Sequence, residues 1–209
     1  MTSRDYIKDP AEIYRQSFAV IEAEAELSAL PRWLQPVARR MIHACGMTDL
    51  AADLAWHGEP VDAAKIALGA AAPILCDAQM VASGIIRDRL HGNEIVCLIG
   101  DPRVPDLARD LGTTRSAAQV ELWRDRMAGA VVAIGNAPTA LYHLIEQIEA
   151  GGPKPAALFA FPVGFVGARE SKDDLIAAKL DLPYLTLRGR RGGSAIAAAA
   201  INALQDGMA

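Results

Sequence analysis

The side chains best placed to do chemistry are Arg40 and His43, in the run Arg39-Arg40-Met41-Ile42-His43-Ala44-Cys45-Gly46. They stand three positions apart, so on a helix both project from one face. Gly46 marks the helix end, which puts His43 in the last turn. Orphan carbonyls there favour imidazolium while a neighbouring arginine opposes it, a balance suited to a histidine that gives and recovers a proton. The alternative is a helix-terminal histidine with no chemical role.

Three glycine-bearing loops are the next candidates. Ile134-Gly135-Asn136-Ala137-Pro138-Thr139 follows an apolar run and opens a helix, so its backbone N–H groups are expected to form an anion site. Phe161-Pro162-Val163-Gly164-Phe165-Val166-Gly167 also follows an apolar run. Arg188-Gly189-Arg190-Arg191-Gly192-Gly193-Ser194 sets three arginines before a helix, a candidate carboxylate clamp because guanidinium binds carboxylate through two parallel hydrogen bonds. Each loop has a purely structural alternative, since glycine-rich strand-to-helix turns are common in α/β proteins.

The elements that must position these groups follow from periodicity and punctuation. Asp9, Pro10 and Glu12 spell the start of a first helix, with Ile13, Phe18, Ile21 and Leu27 near one face. A second helix is predicted from Pro31 to Gly46 and a third from Val61 to Ala71. Short β-rich runs then alternate with helical ones. The strands are Ile74–Cys76, Ile95–Ile99, Ala130–Ile134, Ala157–Phe161 and Tyr184–Leu187. The helical stretches are Asp77–Ser83, Pro105–Leu111, Ser116–Met127, Thr139–Glu149 and Asp173–Lys179, with an alanine-rich helix after Gly193. Strands separated by helices require crossovers, so the fold class is α/β: one doubly wound, mostly parallel sheet flanked by helices, with a helical N-terminal part, forming a single domain over 1–209. Ligands in such folds sit beyond the carboxyl ends of the strands, where the three loops lie.

Composition removes several classes. A formal charge of −4 gives no field for nucleic acid or a membrane surface. The N-terminus has no apolar stretch of the signal-peptide kind and no apolar run is long enough to span a bilayer, so a cytoplasmic protein is expected. Cys45, Cys76 and Cys97 are odd in number and far apart, and read as reduced core residues. There is no GxxxxGK[ST], GxGxxG or GxSxG run, and His43, His57, His91 and His143 show no ligand spacing, so neither a metal nor a cofactor is expected.

Several blocks together resemble the precorrin-8X methylmutase family. They are Met41 to Gly46, Ala72-Pro73-Ile74-Leu75-Cys76-Asp77, Thr114-Arg115-Ser116-Ala117-Ala118, Ala133 to Leu141, Pro162 to Lys172, and the closing Arg188-Gly189-Arg190 and Gly192-Gly193-Ser194. The blocks run in order from the first helix to the last. The resemblance implies a cytoplasmic α/β homodimer, without metal or cofactor, that moves a methyl group from ring carbon 11 to ring carbon 12 of a corrin precursor in cobalamin synthesis. The product in the metal-free branch is hydrogenobyrinic acid. It further implies that His43 is the proton donor and acceptor, and that Ser17 and Arg40 bind substrate.

Arg115 and the Gly135, Asn136, Thr139 loop are then the expected carboxylate contacts, with Ser116, Gly164, Arg188 and Gly193 as further binding positions from the matching blocks. At position 86 the resemblance leads one to expect the threonine of some relatives; with Ile86 any macrocycle contact there is apolar, and a packing role is the equal alternative. Two other readings stay open: a corrinoid carrier that holds the ligand and hands it to the next enzyme, and a generic anion- or nucleotide-binding domain. The choice between metal-free and cobalt-bearing substrate leans to the metal-free form.

Overall fold

The computed structural model describes residues 4–205. Six strands form one sheet: β1 (Leu54–His57), β2 (Ile74–Cys76), β3 (Ile95–Val96), β4 (Val131–Ile134), β5 (Ala157–Ala160) and β6 (Tyr184–Leu187), in the order β1-β6-β5-β4-β2-β3. All neighbours are parallel except the edge strand β1, which runs antiparallel to β6. β2 and β4 lie side by side, yet the chain visits β3 on the outer flank of β2 before crossing to β4. That reversal is the switch point of a doubly wound sheet.

The side chains of β4 and β5 show why both faces must be covered. Val131, Ala133, Ala157 and Phe159 point into one apolar layer, and Val132, Ile134, Leu158 and Ala160 into the other, all fully buried. The first layer is closed by α2 (Gln35–Cys45), α3 (Pro60–Gly69), α4 (Gln79–Gly84) and α10 (Ser194–Leu204). The second is closed by α6 (Arg115–Glu121), α7 (Arg124–Met127), α8 (Pro138–Glu149) and α9 (Ala168–Ala177). Beside α6 lies α5 (Val104–Asp110), with a small cluster of its own. The alanines of α10 let it approach α2 and α4 closely; a Cβ on Gly84 would collide with Ala198 at 2.7 Å.

Some sequence expectations shift. The leading helix, α1 (Pro10–Glu24), starts as predicted, with Asp9 accepting from Ala11 N–H at 3.0 Å. Glu12 does not complete a capping box, because Arg15 and Gln16 take its carboxylate. Ile13 is exposed, not core. The second helix starts at Gln35, after a turn closed by Leu34 N–H onto the Pro31 carbonyl. The strand expected over Ile95–Ile99 stops at Val96, ahead of a turn in which Asp101 N–H bonds to the Leu98 carbonyl. The helix expected over Ser116–Met127 is broken at Leu122 and Trp123. The antiparallel strand β1 was not anticipated; its outer half, Trp56 and His57, is exposed, so it carries no clean alternation.

Candidate active site

His43 is fixed by two helices. Gly46 ends α2 with a left-handed turn (φ 70°) that glycine adopts without strain, and this leaves His43 exposed in the final turn. Helix α1 crosses that turn and presents Tyr14, Ser17 and Phe18, which share a face by their spacing of three and four. The Ser17 hydroxyl and His43 Nδ1 are 2.8 Å apart and hydrogen-bonded. Phe18 stacks on the imidazole at 5.1 Å, 15° from parallel, and the Tyr14 ring lies 5.3 Å away. Arg40 Nη1 donates to the Tyr14 hydroxyl at 2.8 Å. The expected serine, histidine and arginine therefore meet in one constellation. Tyr14 and Phe18 were missed as site residues; the signal available was their place on the Ser17 face, where Phe18 reads equally well as core.

Two open hollows flank the imidazole. One, of about 270 Å3, is walled by Ser17, Val20, Ile21, Ile42 and His43; the other, of about 290 Å3, by Tyr14, Arg40, His43, Gly84, Ala198 and Asn202. Each is small beside the roughly 300–1,000 Å3 typical of small-molecule sites. His43 lines both hollows and forms the ridge between them. A hollow of about 390 Å3 between α8 and α9 is rimmed by Glu146, Glu149 and Asp174, a charge that repels carboxylates.

The switch-point crevice holds a different arrangement. Asp77, directly after β2, is buried and accepts from the N–H groups of Gly135 (2.8 Å), Asn136 (2.9 Å) and Ala137 (2.7 Å). Its carbonyl accepts from Gln119 Nε2 at 2.6 Å. The anion expected at the Gly135–Thr139 loop is thus the chain's own carboxylate, and these N–H groups are not open to a ligand. Burial pushes the Asp77 carboxyl above its ordinary range, against the pull of the three donors. Gly135 is needed for packing: a Cβ there would strike Val81, Ala197 and Ser194, the residues that seat α4 and α10 over β4. The Asn136 side chain stays exposed.

The remaining candidates form two groups. Thr114, the N-cap of α6, bonds to Thr139 across 2.7 Å, which brings exposed Arg115 and half-buried Ser116 beside the start of α8. In the other group the arginine clamp is partly used up. Arg191 pairs with Asp49 and Asp53, in the turn that follows α2, and its carbonyl accepts from buried Lys172 Nζ at 2.6 Å. Burial pulls that ammonium down to about 8. The Gly193 N–H donates to the Phe161 carbonyl at 2.9 Å, so it too is engaged within the fold. Arg188 is exposed, and Arg190 lies over the Phe165 ring at 5.6 Å. A hollow of about 250 Å3 lies here, lined by Met47, Gly164, Phe165 and Arg190. Ile86 is half-buried just beyond Gly84.

The fold is a doubly wound α/β sheet whose exposed, serine-bonded histidine stands on a helix face and not in the sheet crevice. The family model for precorrin-8X methylmutase matches residues 12–206, and the chain belongs to the precorrin-8X methylmutase family, a family of isomerases. It is 55% identical over 201 residues to a precorrin-8X methylmutase of Pseudomonas aeruginosa, covering 96% of this chain and 97% of that one. It is 52% identical to a precorrin-8X methylmutase of a Sinorhizobium species, covering 98% of each. A cobalt-precorrin-8 methylmutase of Priestia megaterium is 36% identical, over 93% of this chain and 87% of its own length. The crystal structure of a precorrin-8X methylmutase from Thermus thermophilus superposes with a TM-score of 0.84 at 38% identity, covering 94% of this chain and 95% of that one.

Proposed function

We propose that this chain isomerises metal-free precorrin-8X to hydrogenobyrinic acid, moving one methyl group from ring carbon 11 to ring carbon 12, with His43 as the proton-handling residue. The observation that carries the residue assignment is the Ser17–His43 hydrogen bond at the ridge between two open hollows. The metal-free substrate is favoured by identity: relatives named for it are 55% and 52% identical, relatives named for the cobalt form 32–37%.

With Nδ1 held by Ser17, Nε2 is the nitrogen left to exchange a proton with the ligand. Transfer to a ring atom draws electron density from the conjugated system and eases migration of the methyl group. The ring then returns a proton to His43, so none is gained or lost, as an isomerisation requires. Arg40, with its guanidinium on the Tyr14 hydroxyl, binds a peripheral carboxylate of the substrate beside the imidazole. Phe18, stacked on the imidazole, and the tilted Tyr14 ring hold His43 in place and offer apolar surface to the macrocycle. Arg115, Ser116 and Thr139 receive other acid arms from the α6–α8 side, as do the Asn136 side chain and exposed Arg188; Ile86 makes an apolar contact.

The small size of each hollow and the exposure of Ile13, Tyr14 and Val20 on α1 support a homodimer in which a second copy completes the enclosure. In our reading the single domain works in the cytoplasm and hands its product to the next enzyme; among the described residues no helix is long and apolar enough to cross a membrane. The deciding experiment mixes purified protein with metal-free precorrin-8X and follows the visible spectrum, beside His43→Ala. Conversion to the product chromophore by the parent, and only a bound-substrate spectrum with the variant, is the expected result. Binding without conversion by either protein would point to the cobalt substrate or to a carrier.

A further inference from the structure

We infer that Asn202 is a positioning residue for the substrate site, setting the wall that faces His43 across the hollow of about 290 Å3. Helix α10 reads Ser-Ala-Ile-Ala-Ala-Ala-Ala-Ile-Asn-Ala-Leu, and Asn202 is a buried amide in an otherwise apolar helix body. A buried amide is tolerated only when hydrogen-bonded. Both ends of this one are spent on a single turn: Oδ1 accepts from Ile86 N–H at 2.9 Å, and Nδ2 donates to the Gly84 carbonyl at 2.9 Å. The side chain thus acts as a surrogate backbone partner where α4 has ended and no strand or helix pairing is available.

The same turn is pressed onto α10 one helical turn earlier, where the bare Cα of Gly84 faces Ala198. Contact and latch together hold Gly84 in place, and Gly84 lines the hollow with Tyr14, Arg40 and His43. With its oxygen and one amide hydrogen engaged by the turn, Asn202 acts through Gly84 and Ile86 and not on the reacting atoms. It governs how tightly the macrocycle is gripped, while proton transfer stays with His43. The inference rests on the reading of this hollow as the substrate site.

The test compares Asn202→Ala and Asn202→Ser with the parent. Product affinity is read by absorbance titration, and KM, kcat and their pH dependence from conversion of precorrin-8X. Serine is uncharged and small enough for the site, so it is read if alanine unfolds the chain. Each variant should weaken product binding and raise KM roughly tenfold, with a much smaller change in kcat and the parent's pH profile. A loss in kcat as large as the rise in KM, or unchanged affinity in a folded variant, would overturn the role. Tyr14→Ala with unchanged product affinity would separately show that the macrocycle does not sit in this hollow.

Discussion

The switch-point crevice and the ridge around His43 are built from similar parts and used in opposite ways. At the crevice three consecutive backbone N–H groups converge as they do where α/β proteins hold anions, but Asp77 from the neighbouring strand end already fills the place. At the ridge, side chains of α1 and α2 hold one imidazole in the open, with hollows on both sides. One region is satisfied internally and closed; the other is satisfied only on the protein side and faces outward. A carboxylate supplied by the chain closes the sheet crevice from within, which leaves the open hollows in the helical layer.

The contrast is broken most directly at His43. Replacement by alanine should lower turnover by ~10²–10⁴ while substrate still binds, as read from the visible spectrum; near-normal turnover would remove His43 from the mechanism. Asp77→Ala should act on the other side of the comparison. It strands three N–H donors, those of Gly135 and Ala137 buried, so urea unfolding should show a loss of about 3 kcal/mol, with Asp77→Asn losing less because the amide oxygen still accepts. An Asp77→Ala protein as stable as the parent would mean that the crevice admits water freely.

Ser17→Ala sharpens the difference between regions at smaller scale. It removes the partner of His43 Nδ1 at an exposed site, so kcat should fall about tenfold with no measurable change in melting temperature. A loss of stability as large as that of Asp77→Ala would place Ser17 in the scaffold instead.

The smallest effect expected is at Lys172. Its ammonium is held down to about 8 by burial, so between there and the ordinary lysine range the unfolded chain binds more protons than the folded one. Stability therefore rises with pH across that window. The melting temperature of the parent should gain on that of Lys172→Met from pH 8 to 10, and a flat difference would show that the lysine titrates normally.

Much of this was legible beforehand. The five parallel strands announce themselves as short apolar runs between helices, because a strand covered on both faces needs no polar alternation. Edge strand β1 escaped for the opposite reason: half exposed and four residues long, it leaves a mixed signal that only pairing with β6 resolves. Ser17, Arg40 and His43 were reached from matching blocks and helix spacing. The use of the glycine loops was not: exposed N–H groups look alike in sequence whether a ligand or a distant aspartate completes them, and Asp77 lies 58 residues from Gly135.

The sequence by itself determined the α/β class, the helix end that exposes His43 and the family to which the chain belongs, since each rests on local spacing or on blocks in order. Tertiary structure alone decided that Tyr14 and Phe18 stand against the imidazole, that Arg191 spends its charge on Asp49 and Asp53, and that Asp77 closes the sheet crevice. Those are contacts between segments far apart in the chain. A side chain's type declares what it can bind, but packing settles which partner reaches it first.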